Sequence, residues 1–143
     1  MNKIYLVNTS TEKSEIYQLP LQTCKVQAGF PSFADDSTEE NLDLNKYLIK
    51  HPTATFFVRV SGDSMLGAGI HNNDLLIVDR SLTPSNGKVV IAAIEGALTV
   101  KRLVLKNNKA YLHAENDGFP PITITSETGI HIWGIVTNVI HPL

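Results

Sequence analysis

Ser64, within Ser61-Gly62-Asp63-Ser64-Met65, and Lys101, within Thr99-Val100-Lys101-Arg102, could do chemistry together as nucleophile and base. Gly62 permits a tight turn from which a serine hydroxyl can project, with neighbouring backbone amides aimed at a developing oxyanion. An isolated serine in a Gly/Asp turn can equally well bond its own backbone, and the second glycine of the hydrolase nucleophile elbow is absent here. On an alternating strand Lys101 shares a face with Thr99, Leu103 and Leu105, and Arg102 shares the other with Val100 and Val104, so one cation must lie against apolar side chains. The lysine stem can simply cover apolar surface while its head reaches water. The chemical alternative makes a sharper demand. At its reference pKa of ~10.4 a lysine is neutral in about one molecule in 2,500 at pH 7, so a lysine base must be desolvated.

A possible substrate lies in the same chain. Ala28-Gly29 is a peptide bond with little steric obstruction, flanked by the apolar Val26 and Phe30. Ala68-Gly69 offers the same dipeptide but lies in the turn that carries Ser64, where it could hardly fold back into its own site. From Gly29 to Ser64 are 35 residues; at roughly 3.3 Å per extended residue an arm could reach its own site or a partner's. The five histidines, His51, His71, His113, His131 and His141, have no spacing that commends a Ser/His/Asp triad.

The elements that must position these groups read as follows. Residues 1–28 form an arm with short apolar runs at 4–7 and 16–19, and Gly29-Phe30-Pro31-Ser32 breaks regular structure. Five acids without a base, Asp35, Asp36, Glu39, Glu40 and Asp43, predict an extended, solvated stretch. Asp43 can cap a short helix over 44–50, with Leu44, Tyr47 and Leu48 at helical spacing, and His51-Pro52 ends it. Residues 29–52 are thus a linker with a short helix. From residue 53 to 143 the pattern is short strands joined by Gly, Asn, Asp and Pro turns, with strands expected near 55–60, 75–78, 88–92, 98–105, 110–114, 122–124 and 130–140. The fold class is mainly β, barrel-like or sandwich.

Composition excludes several classes. With 43% apolar and 18% charged residues, the 143-residue chain reads as one globular domain plus an arm. No run approaches the ~20 apolar residues of a membrane span, and residues 1–6 are too short for a secretory leader, so a cytoplasmic protein is expected. The single Cys24 rules out a disulfide framework or a multi-cysteine zinc site, and no metal or cofactor is expected. Net charge is −2, and the remainder of the chain is only +3 once the acidic stretch is set aside, too little to grip a nucleic acid unaided.

Several segments together closely resemble the UmuD-type members of the LexA-like self-cleaving serine peptidase family. They are residues 24–32 (Cys-Lys-Val-Gln-Ala-Gly-Phe-Pro-Ser), Leu42-Asp43-Leu44-Asn45, residues 51–58, Ser61-Gly62-Asp63-Ser64-Met65, residues 74–79 and Thr99-Val100-Lys101. The likeness runs from about Gln22 to Val139. It implies a mostly β catalytic domain of the LexA/signal-peptidase type, Ser64 as nucleophile, Lys101 as general base, the amides of Asp63 and Ser64 as oxyanion hole, and scission between Ala28 and Gly29. It further implies a homodimer whose cleavage is stimulated by the RecA–single-stranded-DNA filament in the SOS response to DNA damage. The shortened product would serve a UmuC-type polymerase in error-prone translesion synthesis. LexA carries a helical DNA-binding domain ahead of the cut. Here only about 28 residues precede it and no helix-turn-helix pattern is visible, so sequence-specific DNA binding is not expected. The rival readings are a non-enzymatic dimerisation or polymerase-binding module, a repressor fragment, and a membrane-anchored signal-peptidase-like enzyme.

Overall fold

The computed structural model describes residues 16–31 and 39–143. The apolar run at 4–7 and the acids Asp35 and Asp36 lie outside the described residues. The chain divides into two units, Met1–Tyr47 and Leu48–Leu143. No helix among the described residues is long and apolar enough to cross a membrane.

In the first unit, β1 (Leu19–Gln22) pairs antiparallel with β2 (Glu39–Leu42), from Leu19 opposite Leu42 to Gln22 opposite Glu39. The end of the acidic stretch is therefore a paired strand and not merely a solvated tether, because β1 satisfies its backbone groups. Every β1 side chain is exposed, so the pairing rests on backbone hydrogen bonds rather than on a core. Ala28 and Gly29 lie exposed in the connection between the two strands. The helix α1 (Leu44–Leu48) is capped as expected: Asp43 Oδ1 accepts the Asn45 amide at 3.0 Å and the Lys46 amide at 3.4 Å. It stops two residues before the predicted end, and a 3-10 turn (Pro52–Ala54) follows.

The second unit holds seven strands: β3 (Thr55–Arg59), β4 (Leu75–Asp79), β5 (Val89–Ile94), β6 (Ala97–Lys106), β7 (Lys109–His113), β8 (Ile122–Ile124) and β9 (Ile130–Ile140). They form one sheet in the order β3-β4-β9-β5-β6-β7-β8, antiparallel throughout. The mainly β class expected from the sequence is borne out, and the order of strands leaves the sheet open, not closed into a barrel. Two hairpins follow from turn chemistry. Glu95 and Gly96 (φ 49° and 81°) join β5 to β6, and Asn107 and Asn108 (φ 52° and 60°) join β6 to β7. Positive φ at both central positions matches the right-handed twist of the flanking strands.

Alternation along β5 separates two cores. Ile91 joins Val60, Met65, Ile70, Leu76 and Val78, while Val90 and Ala92 join Leu103, Leu112 and Ile135 on the other face. Register shifts at Ile77/Val78 (β4 on β9) and at Ile91/Ala92 (β5 on β9) bend the sheet between these cores. Gly134 sits between the two shifts, where a Cβ would come within 2.6 Å of Val78 Cγ1. Only glycine lets β4 and β9 approach so closely there.

Candidate active site

Ser64 stands on the loop that leaves β3 at Val60 and returns at Ile70. Gly62 turns the chain with φ +98°, a value that side chains resist, and its amide donates to Asn72 Oδ1 at 2.9 Å. Val60 N donates to Asp74 O at 2.9 Å and Asn73 N to Val60 O at 2.8 Å, which laces the start of the loop to the 71–74 turn. The far side is clasped by the loop after β7. Asn116 Nδ2 donates to Asp63 O at 2.8 Å, Glu115 N to Ser64 O at 2.8 Å, and Gly67 N to Glu115 O at 2.7 Å. Below the turn, Met65 is buried at 1% exposure in the Ile91-side core.

This bonding pattern leaves the backbone N–H groups of Asp63, Ser64 and Met65 donating to no acceptor among the described residues. Three successive free amides beside a serine hydroxyl are a site for negative charge.

Lys101 reaches the same spot from β6, where it stands opposite Val90. Its Nζ lies 3.1 Å from Ser64 Oγ and 3.4 Å from Thr99 Oγ1, with the Phe119 ring centroid 6.0 Å away. Lys101 is half-buried and pairs with no carboxylate among the described residues, and burial pushes its pKa below the ordinary lysine value. The neighbouring Arg102 turns the other way, pairing with the Glu115 carboxylate and donating to Gly87 O at 2.6 Å. Of the two cations, the arginine has its counter-ion and the lysine has none among the described residues.

A cleft of about 200 Å³ opens beside Ser64, lined by Val58, Val60, Leu76, Ile91, Leu98 and Val100 among others. Arg59, Ser61 and Thr99 add polar groups to these apolar walls, and its size suits small side chains. Among the described residues no histidine bonds to Ser64. His51 Nδ1 lies 2.6 Å from Asp79, and His71 and His141 both face Asp74. Glu115, Asn116 and Thr99 were not foreseen as parts of the site. Glu115-Asn116-Asp117-Gly118 reads as an ordinary turn, and nothing in its spacing points to a serine some fifty residues earlier.

Comparison with known proteins identifies the family. Residues 19–137 match the family described as Peptidase S24-like. Protein ImpA of Escherichia coli is 45% identical over 141 residues, covering 99% of this chain and 96% of ImpA. Protein SamA of Salmonella typhimurium is 50% identical over 122 residues, covering 85% of this chain and 84% of SamA. The LexA repressor of Shewanella woodyi is 39% identical over 131 residues, covering 91% of this chain and 63% of the repressor. With an S24 match over most of its length and UmuD-like and LexA relatives on either side, the chain belongs to the S24 peptidase family, as a serine peptidase of the LexA/UmuD type.

Proposed function

We propose that this protein cleaves itself between Ala28 and Gly29, with Ser64 as nucleophile and Lys101 as general base. The observation that carries the reading is the 3.1 Å separation of Lys101 Nζ and Ser64 Oγ, with the lysine half-buried and without a counter-ion among the described residues. In its neutral form Lys101 accepts the Ser64 hydroxyl proton as Oγ attacks the Ala28 carbonyl carbon. The oxyanion is held by the Asp63 and Ser64 amides, each such donor being worth ~3–4 kcal/mol in the transition state. The protonated lysine then gives its proton to the departing Gly29 amine, leaving Ala28 esterified to Ser64. A water, deprotonated by the same lysine, hydrolyses that ester and frees the arm.

The substrate side is consistent. Ala28 and Gly29 are exposed, Val26 and Phe30 are 92% and 95% exposed, and the partly apolar cleft beside Ser64 suits small or β-branched residues preceding the cut. Residues 1–28 are then a removable arm, 29–52 a linker, and 53–143 the peptidase and dimerisation domain.

The resemblance to UmuD-type proteins supplies the setting: a cytoplasmic homodimer of the SOS response, cut when the RecA–single-stranded-DNA filament forms. The shortened form is the regulatory subunit of a UmuC-type translesion polymerase. The filament acts by favouring the docked arm, a shift of population that needs no catalytic group from outside.

The test is mass spectrometry of the wild-type and Ser64→Ala proteins incubated at alkaline pH. Loss of residues 1–28 from the wild type alone is expected. An intact wild type under these conditions, or equal cleavage of both, refutes the peptidase reading and leaves a non-enzymatic binding module.

A further inference from the structure

Away from Ser64, the fold gathers His71, Asp74 and His141 into one cluster. Asp74 precedes β4 and is 1% exposed, the most deeply buried carboxylate among the described residues. His71 lies three residues before it in the same turn, and His141 follows the end of β9, 67 positions away in sequence. Asp74 Oδ1 lies 2.6 Å from His141 Nδ1, and Oδ2 accepts the His71 backbone amide at 2.7 Å. His71 Nδ1 lies 3.6 Å from Oδ2, too far for a hydrogen bond, so the ring faces the carboxylate without bonding to it. The two imidazoles stack with centroids 4.3 Å apart and planes inclined at 26°.

From this geometry we propose that His71, Asp74 and His141 form a binding site for a divalent transition-metal ion of the zinc type, with solvent completing the coordination. Two imidazoles and one carboxylate are the donor set that suits zinc, and three protein ligands leave a fourth position open. The donor atoms of the three residues lie within 4.8 Å of one another. Bonds of ~2.0–2.2 Å arranged tetrahedrally need donor separations of roughly 3.4 Å. The cluster therefore needs adjustments of an ångström or so. The histidines can supply them, since their side chains are 46% and 37% exposed and His141 can exchange its 2.6 Å contact with Asp74 Oδ1 for the ion. That exposure is also the entry path for the ion.

The fixed partner is well held. Asp74 O accepts the Val60 amide, and the neighbouring Asn73 and Asn72 bond to Val60 O and the Gly62 amide. An ion bound here would fasten the segment after β9 to the turn from which the Ser64 loop springs. The site serves as a structural clasp, outside the reacting atoms.

The test uses the full-length chain without an affinity tag, in a Cys24→Ser background to remove the thiol, after chelation and dialysis. Co²⁺ is titrated by visible absorption, Zn²⁺ by calorimetry, and the Tm is followed. One equivalent of Co²⁺ with d–d bands of four- or five-coordinate metal is expected, displaced by Zn²⁺, with a rise in Tm. His71→Gln and His141→Gln should each weaken binding by about tenfold or more, and His131→Gln should leave it unchanged. Both ligating histidines are half-exposed, and circular dichroism checks that these variants keep the fold. No binding at millimolar Zn²⁺, or binding that survives both substitutions, overturns the proposal.

Discussion

Replacing Lys101 with arginine keeps a cation near Ser64 but removes any useful neutral fraction. At 3.1 Å from Ser64 Oγ the lysine is within proton-transfer reach, and burial already lowers its pKa. Reference values of ~10.4 for lysine and ~12.5–13.8 for arginine differ by about 2–3 units, so the neutral fraction at neutral pH falls ~10²–10³-fold. The burial that lowers Lys101 acts on either cation, so that range is the expected loss of rate. The assay is release of residues 1–28 over time, followed by mass spectrometry from neutral to alkaline pH. The wild-type rate should rise about tenfold per pH unit and level off below the reference value of ~10.4. A Lys101→Arg rate within tenfold of wild type, or a flat wild-type profile while chemistry limits the rate, would show that Lys101 is not the base.

Three further outcomes follow from the same structure. A buried ammonium works against folding wherever it is charged, a cost present in full below the folded pKa and gone above the unfolded value of ~10.4. Lys101→Met should accordingly raise Tm at neutral pH by an amount that shrinks toward alkaline pH, and a gain independent of pH would contradict the lowered pKa. Hydrogen bonds from Ser81 and then His51 hold Asp79 below the usual carboxyl range against the opposing effect of burial. Its stabilisation is thus present above the unfolded value of ~3.9 and lost as pH falls through the lower folded value. Asp79→Asn should flatten the acid end of the curve of Tm against pH, and an unchanged acid slope would count against this assignment. Finally, a Cβ at Gly67 would stand 2.8 Å from Glu115 O, a backbone atom that cannot swing away. Gly67→Ala should cost ~1–3 kcal/mol in denaturant unfolding and slow self-cleavage, and a neutral result would mean the clasp on the Ser64 loop is slack.

Local chemistry made much of the fold legible. β8 and β9 have the bounds that their β-branched runs predict, Asp43 caps α1, and the Glu95-Gly96 and Asn107-Asn108 turns mark two hairpins. Long-range pairing was not legible. Nothing near Glu39–Leu42 announces a strand, because its partner β1 lies across the Ala28-Gly29 connection and acidic residues locally favour separation. Nor does any residue signal that β9, last in sequence, lies between β4 and β5. The types of Ser64 and Lys101 were readable, but their separation is a product of sheet curvature and of the Glu115 clasp. His71 and His141 looked like scattered surface histidines because their meeting depends on where β9 ends.

The two-stranded pairing of the first unit gives the proposed cut a direction. While the chain is intact, β1 and β2 belong to one molecule and find each other at high effective concentration. After hydrolysis at Ala28-Gly29 the same contact becomes an association between separate molecules, held by four opposed residue pairs whose β1 side chains all face solvent. Dilution then carries the released peptide away, which makes resealing negligible. It also bares the hydrogen-bonding edge of β2, open to a strand from another protein.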